Sequence, residues 1–234
     1  MKKIIVVSIL TLLSFNSFAN DNAKRLTEQI LKGDISIFRN EGNSNIRHAI
    51  PTVNALQLIS EYNNNQYKYE KTYNNQIVNI KTSASGLKTD LSGEPFVVAN
   101  GKNQFEYVLL ELKNKDDAKE ISEGNKLDLI CVGTKDNLSF PILKNCVKSD
   151  DYFQKYFEVT MSKINKLEKD DKPSSPIETF YLALWKFDIQ KPNTLDKYKT
   201  FSELMQNKSD FDEVTALVKA NITEENRTTT MPTP

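Results

Sequence analysis

The hydrophobic period of this chain changes once, at Gln76, and that change limits the folds available to it. Before it, apolar side chains recur every three or four residues at Leu56, Ile59, Tyr62, Tyr69 and Tyr73, interrupted by Gln66. That spacing predicts a helix introduced by Pro51-Thr52, with Thr52 as N-cap. Its tyrosines, Tyr67 included, read as packing residues whose hydroxyls reach water. After Gln76 the pattern alternates. Residues 77–85 predict a first strand, with Val78 and Ile80 set against Asn79 and Lys81. Residues 86–94 form a turn-rich connection. Residues 96–99 and 105–112 make the second and third strands around an Asn100-Gly101 hairpin turn. Residues 127–132 and 140–147 make the fourth and fifth. Between the third and fourth strands, residues 113–122 place Ala118 and Ile121 among charges, a short helix closed by Glu123-Gly124. A meander would use a tight turn there; an OB-type barrel places a helix at that point, plugging one end. The expected fold class is α+β: a five-stranded OB-type β-barrel preceded by a helix, with a C-terminal helical extension.

The ends of the chain are different in kind. Lys2-Lys3, an apolar run over residues 4–15, and small residues Ser17 and Ala19 follow the order of a secretory signal peptide. The expectation is cleavage after Ala19 and a periplasmic or secreted location. The run is shorter than the ~20 residues that span a bilayer, and nothing downstream resembles a second span. Residues 20–50 hold a short amphipathic helix (Leu26, Ile30, Leu31) ending at Gly33, then a polar connector. Residues 51–148 form the OB domain and residues 149–223 the helical extension. In the extension, a helix over residues 150–169 is expected, with Tyr152, Phe153, Tyr156, Phe157, Met161, Ile164 and Leu167 on its stripe. Ser175-Pro176-Ile177-Glu178 is a capping box with proline at the first helical position, and Thr200-x-x-Glu203 and Ser209-x-x-Asp212 repeat its logic. Residues 224–234, polar and rich in Thr and Pro, read as a disordered tail.

Charge and cysteine content narrow the function. Without Lys2 and Lys3, the 31 basic and 31 acidic residues become 29 and 31, so no net field draws the chain to polyphosphate. This argues against a general nucleic-acid binder. Cys131 and Cys146 are the two cysteines; in an oxidising compartment such a pair forms a disulfide rather than a metal site. Closing a loop of about 15 residues contributes roughly 3 kcal/mol in the chain-entropy model.

Several motifs, in this order, carry a resemblance. They are Tyr62-Asn63-x-Asn65 with Tyr73, Val78-x-Ile80, Leu91-Ser92-Gly93-Glu94-Pro95-Phe96-Val97-Val98, Ser122-Glu123-Gly124-Asn125-Lys126-Leu127, and Cys131-Val132-Gly133 answered by Leu143-x-x-Cys146. Residues 52–147 resemble the tRNA_anti-like family of OB-fold proteins, often found in exported bacterial chains. The departure is Lys81-Thr82-Ser83, where relatives tend to carry glycine. The family name records a fold likeness to tRNA-anticodon binders and implies no tRNA activity in a periplasm. With the cysteines on the fourth and fifth strands, a disulfide would staple the loop at one side of the usual ligand face.

No catalytic, metal or cofactor site is expected. His48 is the single histidine, which leaves no multi-histidine metal site and few routes to a Ser-His-Asp arrangement. GxGxxG, GxxxxGK[ST] and GxSxG are absent. Asp116-Asp117, Glu120-x-x-Glu123, Asp150-Asp151 and Asp170-Asp171 lie in charge-rich surface stretches. For ligand binding the candidates are Lys81, Lys88 and Tyr107, with Phe96 and Phe105 read as core. The leading expectation is a non-enzymatic envelope adaptor that binds a protein partner through Phe180, Tyr181, Leu184, Trp185 and Phe187. These side chains cover more than one face of their helix; packing within the chain is the competing reading. Oligosaccharide or other small-ligand binding on the OB face is the alternative, and single-stranded nucleic-acid binding the next. No element of the sequence specifies an oligomeric state.

Overall fold

The computed structural model describes residues 5–41, 50–89, 93–135, 139–223, 226 and 233–234; within the first helix the side chains described are those of residues 20–39. The chain divides into two compact units, Met1–His48 with Phe157–Met231, and Ala49–Tyr156 with Pro232–Pro234. The opening helix, α1 (Ile5–Glu41), belongs to the first of these.

The second unit opens with β1 (Thr52–Val53), α2 (Ala55–Asn64) and α3 (Gln66–Tyr73). Thr52 is therefore in a strand. The helix N-cap is Asn54, whose side chain accepts from the Gln57 amide at 2.9 Å. The expected single helix is two, because Asn65 caps α3 in the same way, accepting from the Lys68 amide at 2.9 Å. The buried stripe uses Leu58, Ile59, Tyr62, Tyr69 and Tyr73, while Leu56 is exposed. Tyr62 and Tyr69 meet edge to face with centroids 5.3 Å apart. The Tyr73 hydroxyl donates to Glu61 Oε2 at 2.7 Å, so it is satisfied by protein rather than left wet.

Strands β2 (Ile77–Ser83), β3 (Gly86–Thr89), β4 (Pro95–Asn100), β5 (Tyr107–Leu112), β6 (Lys126–Gly133) and β7 (Ile142–Lys148) follow. The ladder runs β1-β2-β6-β7-β5-β4-β3, an open sheet of seven strands rather than the closed five-stranded barrel expected. Two features account for the difference. β1 adds in parallel to β2 through Thr52↔Asn79. The expected first strand also changes partners: the Ala84 amide donates to the Asn125 carbonyl at 2.9 Å, and the Ser85 amide donates to the Val98 carbonyl at 2.7 Å. The chain thus leaves the β2/β6 ladder and enters the β3/β4 ladder between neighbouring residues, and β3 occupies part of the expected connection. The core between sheet and helices includes Val78, Ile80, Val97, Val108, Leu110 and Leu143, each at 0% exposure. A 3-10 turn at Lys115–Glu120 buries Ala118 in the same cluster, between the third and fourth of the expected strands. Residues 101–106 form the hairpin loop, so Phe105, expected in the core, is 82% exposed.

The cysteines are bonded, Cys131 to Cys146, joining adjacent strands β6 and β7 across an irregularity in their register. Both are fully buried, so the bond lies in the core. Gly133 stands where backbone meets backbone. It bridges to Asn74, its amide donates to Gln76 and its carbonyl accepts from Asn75, both at 2.9 Å. A Cβ at this position would sit 2.2 Å from the Tyr73 carbonyl oxygen.

The helical unit comprises the remainder of α4 (Ser149–Ile164) from Phe157, then α5 (Pro176–Gln190), α6 (Phe201–Gln206) and α7 (Lys208–Asn221). α1 does not stop at Gly33: Ala23, Leu26, Leu31 and Phe38 continue one buried stripe. α5 packs against both α1 and α7 and is buried on nearly all sides. Ser175 accepts from the Glu178 amide, and Glu178 reaches back one residue further than a capping box requires, accepting from the Ser174 amide at 2.6 Å. α7 starts one residue before Ser209, capped by Asn207. Most of the expected tail falls outside the described residues. Asn226 is buried and donates to the Asn221 carbonyl at 2.8 Å, closing the end of α7. Asp188, also buried, accepts from the Leu195 amide at 3.1 Å. Burial holds its carboxyl above the ordinary carboxylate range, with the amide and Asn22 pulling the other way.

Two outcomes follow from these contacts. Gly133→Ala will lower stability by about 1–3 kcal/mol in urea titration, because backbone must shift to admit the methyl. Asp188 has a raised folded pKa, so its stabilising contribution is complete below the unfolded carboxylate value and lost as pH rises through the raised one. Asp188→Asn will flatten that part of the stability-against-pH curve.

Candidate functional site

Strand registers gather a row of polar and aromatic side chains around a buried Val98. Lys88 lies opposite Phe96 and Phe96 opposite Glu111; Val98 lies opposite Leu109, and Asn100 opposite Tyr107. Side chains alternate across a strand, so this set shares one face of β3, β4 and β5. The intervening set, Val97, Ala99, Val108 and Leu110, points into the fully buried core. The Lys88 ammonium stands 5.3 Å from the Tyr107 ring centroid. Phe140 packs on the same ring, centroids 4.7 Å apart and planes inclined by 37°. Phe140 comes from the segment joining β6 to β7 and is positioned by its neighbour: the Pro141 carbonyl accepts from the Leu109 amide at 3.0 Å. At an exposed site the lysine–ring contact contributes about 0.5–1 kcal/mol, weak enough for a ligand to displace. Among the described residues no carboxylate pairs with Lys88.

Of the three sequence candidates, Lys88 and Tyr107 are brought together and Lys81 is not. Lys81 lies on β2 opposite Asp128, to which it is ion-paired at 3.5 Å. Phe96 is half-buried on the outer face rather than in the core. Phe140, which the sequence reading made the start of a strand, is the residue it missed; an aromatic beside Pro141 ahead of the alternating run was the available signal.

The five partner-binding candidates do not form an open surface. Tyr181, Leu184 and Phe187 are at 0% exposure, and Phe180 and Trp185 are half-buried. The reason is geometric: α5 is packed from two directions, so aromatics on more than one of its faces are consumed within the unit. Of the acidic pairs Asp117 is half-buried and the other members are exposed, several of them in ion pairs or hydrogen bonds. Asp116 pairs with Lys119 at 2.7 Å, Glu120 with Lys148 at 2.6 Å, and Asp171 accepts from the Glu168 amide at 2.8 Å. The Glu120 carboxyl is held below its ordinary range by its hydrogen bond and charge contact with Lys148. His48 lies outside the described residues. Among the described residues, no group of three or more His, Cys, Asp or Glu is placed to hold a metal, and no helix is long and apolar enough to cross a membrane.

If the ring pair persists in solution, Tyr107→Leu and Phe140→Leu will couple by about 0.5–1.5 kcal/mol in a double-mutant cycle read by urea unfolding. Additive effects would mean the rings do not pack.

No curated protein matches the chain. Solved structures similar to it include one described as a "putative nucleic acid-binding lipoprotein" from Klebsiella pneumoniae subsp. pneumoniae MGH 78578, with 14% identity over 42% of this chain and 91% of that one, at a TM-score of 0.35. The tRNA_anti-like family model matches residues 1–147, more than half of the sequence and the family its motifs resemble. The chain belongs to the tRNA_anti-like family.

Proposed function

We propose that this protein is a non-enzymatic binding module of a bacterial cell envelope that holds an oligosaccharide on the outer face of β3, β4 and β5. The observation that carries the proposal is the Tyr107–Phe140 ring pair with Lys88 above it. Flat apolar rings flanked by a lysine, an asparagine and a carboxylate suit sugar rings and their hydroxyls, since few polar groups on an apolar surface fix orientation. The balanced charge supplies no field for polyphosphate.

In this reading β2 and β3 are halves of one bent strand, which turns the seven-stranded ladder into OB-type connectivity with β1 as an addition. The consecutive amides of Ala84 and Ser85, serving two ladders, support it. OB folds take ligands beside the loops following the first strand and preceding the fifth, and those regions carry Lys88 and Phe140. Export belongs to the same proposal. It is supported by the basic start, the apolar run and Ser17-x-Ala19, and by the disulfide, which suits an oxidising compartment. Cleavage after Ala19 would leave the residues from Asn20 onward that supply the packed side chains of α1. A partner site on the C-terminal helices is not part of the proposal, because Tyr181, Leu184 and Phe187 are interior.

Thermal denaturation of the mature chain with a panel of neutral and acidic tetrasaccharides tests this. A rise in Tm that Tyr107→Ala abolishes is the expected result. A rise retained by the variant, or none with any saccharide, would refute it.

A further inference from the structure

We infer that the oligosaccharide taken by the Lys88–Tyr107–Phe140 face is a carboxylated one, a chain containing uronic acids; this rests on the reading of that face as a glycan site. Three observations converge. Lys81 of this unit is paired with Asp128, Lys115 with Glu94 and Lys148 with Glu120, while Lys71 stands over the lone ring of Tyr67. Lys88 contacts a ring that is itself packed, with no carboxylate partner among the described residues. An ammonium over a packed pair of aromatic rings matches a ligand with sparse negative charge.

Glu111 decides against a denser one. It is exposed on the same cross-strand row as Lys88 and Phe96, about 10 Å from Lys88 at the usual interstrand spacing. A phosphodiester chain crossing that row would meet a like charge, whereas sugar hydroxyls donate to a carboxylate. A sugar chain with a carboxylate at one ring and hydroxyls at the next satisfies Lys88 and Glu111 together. The location of Lys88 adds a consequence. Its ammonium lies over Tyr107, on a ring already packed by Phe140. A ligand carboxylate that draws the ammonium aside uncovers ring surface for stacking, so charge recognition and stacking reinforce one another. A neutral sugar would have to displace the lysine without offering it a counter-charge.

The test is calorimetric titration of the mature chain with a hyaluronan tetrasaccharide, in which uronic acid and neutral rings alternate, its methyl ester, cellotetraose and a thymidine decanucleotide, at low and high salt. The expected result is a uronate bound at least roughly tenfold more tightly than its own methyl ester, with the difference shrinking in salt. Lys88→Met, which keeps the stem and removes the charge, should erase the preference without weakening ester binding. The acid–ester comparison on the wild type stands whether or not the variant folds. Equal affinity for acid and ester, with Tyr107→Ala still abolishing both, overturns the carboxylate assignment and leaves the glycan reading in place. Binding of the oligonucleotide alone, or of no saccharide, overturns both.

Discussion

Everything on the candidate face of β3, β4 and β5 depends on a change of partner between two neighbouring amides. Ala84 donates to the turn preceding β6, and Ser85 donates to β4. A strand that continued straight would carry residues 86–89 past the start of β6, whose first residue, Lys126, is already opposite Ser83. The change of ladder instead places Lys88 beside Phe96, and thereby within reach of a ring on β5. The backbone satisfies its donors on both sides of the change, so the bend leaves no buried amide unpaired at the point where it occurs. Gly124, with φ +85°, completes the junction, its amide donating to the Ala84 carbonyl at 2.8 Å. A side chain there would have to adopt a left-handed conformation that glycine takes freely.

A second close approach orders the other end of β6. Gly133 lies against the backbone of Tyr73, and hydrogen bonds to Asn75 and Gln76 lock the exit of α3 to the sheet. One strand therefore meets the bent strand at one end and the leading helices at the other. The buried disulfide ties it to β7, the strand that follows Phe140. Phe140, one of the two packed rings, thus sits on a segment whose flanking strands are covalently joined. This favours a preformed rather than an induced surface.

How much of this could be read from residues depends on the range of the interaction. Val78-x-Ile80 and the apolar runs in β4, β5 and β6 announced strands because alternation is local. Ala118 among charges announced the turn that plugs the core for the same reason. β1 escaped notice because two residues have no period. Asn65 was hidden because a capping asparagine between two helices looks like a polar residue within one. The aromatics of α5 misled for a tertiary reason: a helix buried on two sides and one offering a surface have the same residue pattern, and the neighbours alone distinguish them. Within the candidate face, Lys88 was legible as a basic residue of the expected connection and Tyr107 as an aromatic of the expected third strand; β4 lies between the strands that carry them. Phe140 was not, since its meaning comes from a Pro141–Leu109 bond between segments distant in sequence.

The depth of the disulfide has a consequence for the life history of the molecule. Exchange requires an attacking thiolate to reach sulfur, and both sulfurs belong to residues with no exposed surface. An oxidant must therefore act while β6 and β7 are still accessible, before the core closes over them. Once closed, the bond is protected by every contact that keeps the sheet shut. A soluble reductant meets it at the frequency of opening, which follows the stability of the domain rather than the strength of the reductant. The linkage serves as a record that oxidation preceded packing, and a chain that packed with reduced thiols would have to reopen to acquire it.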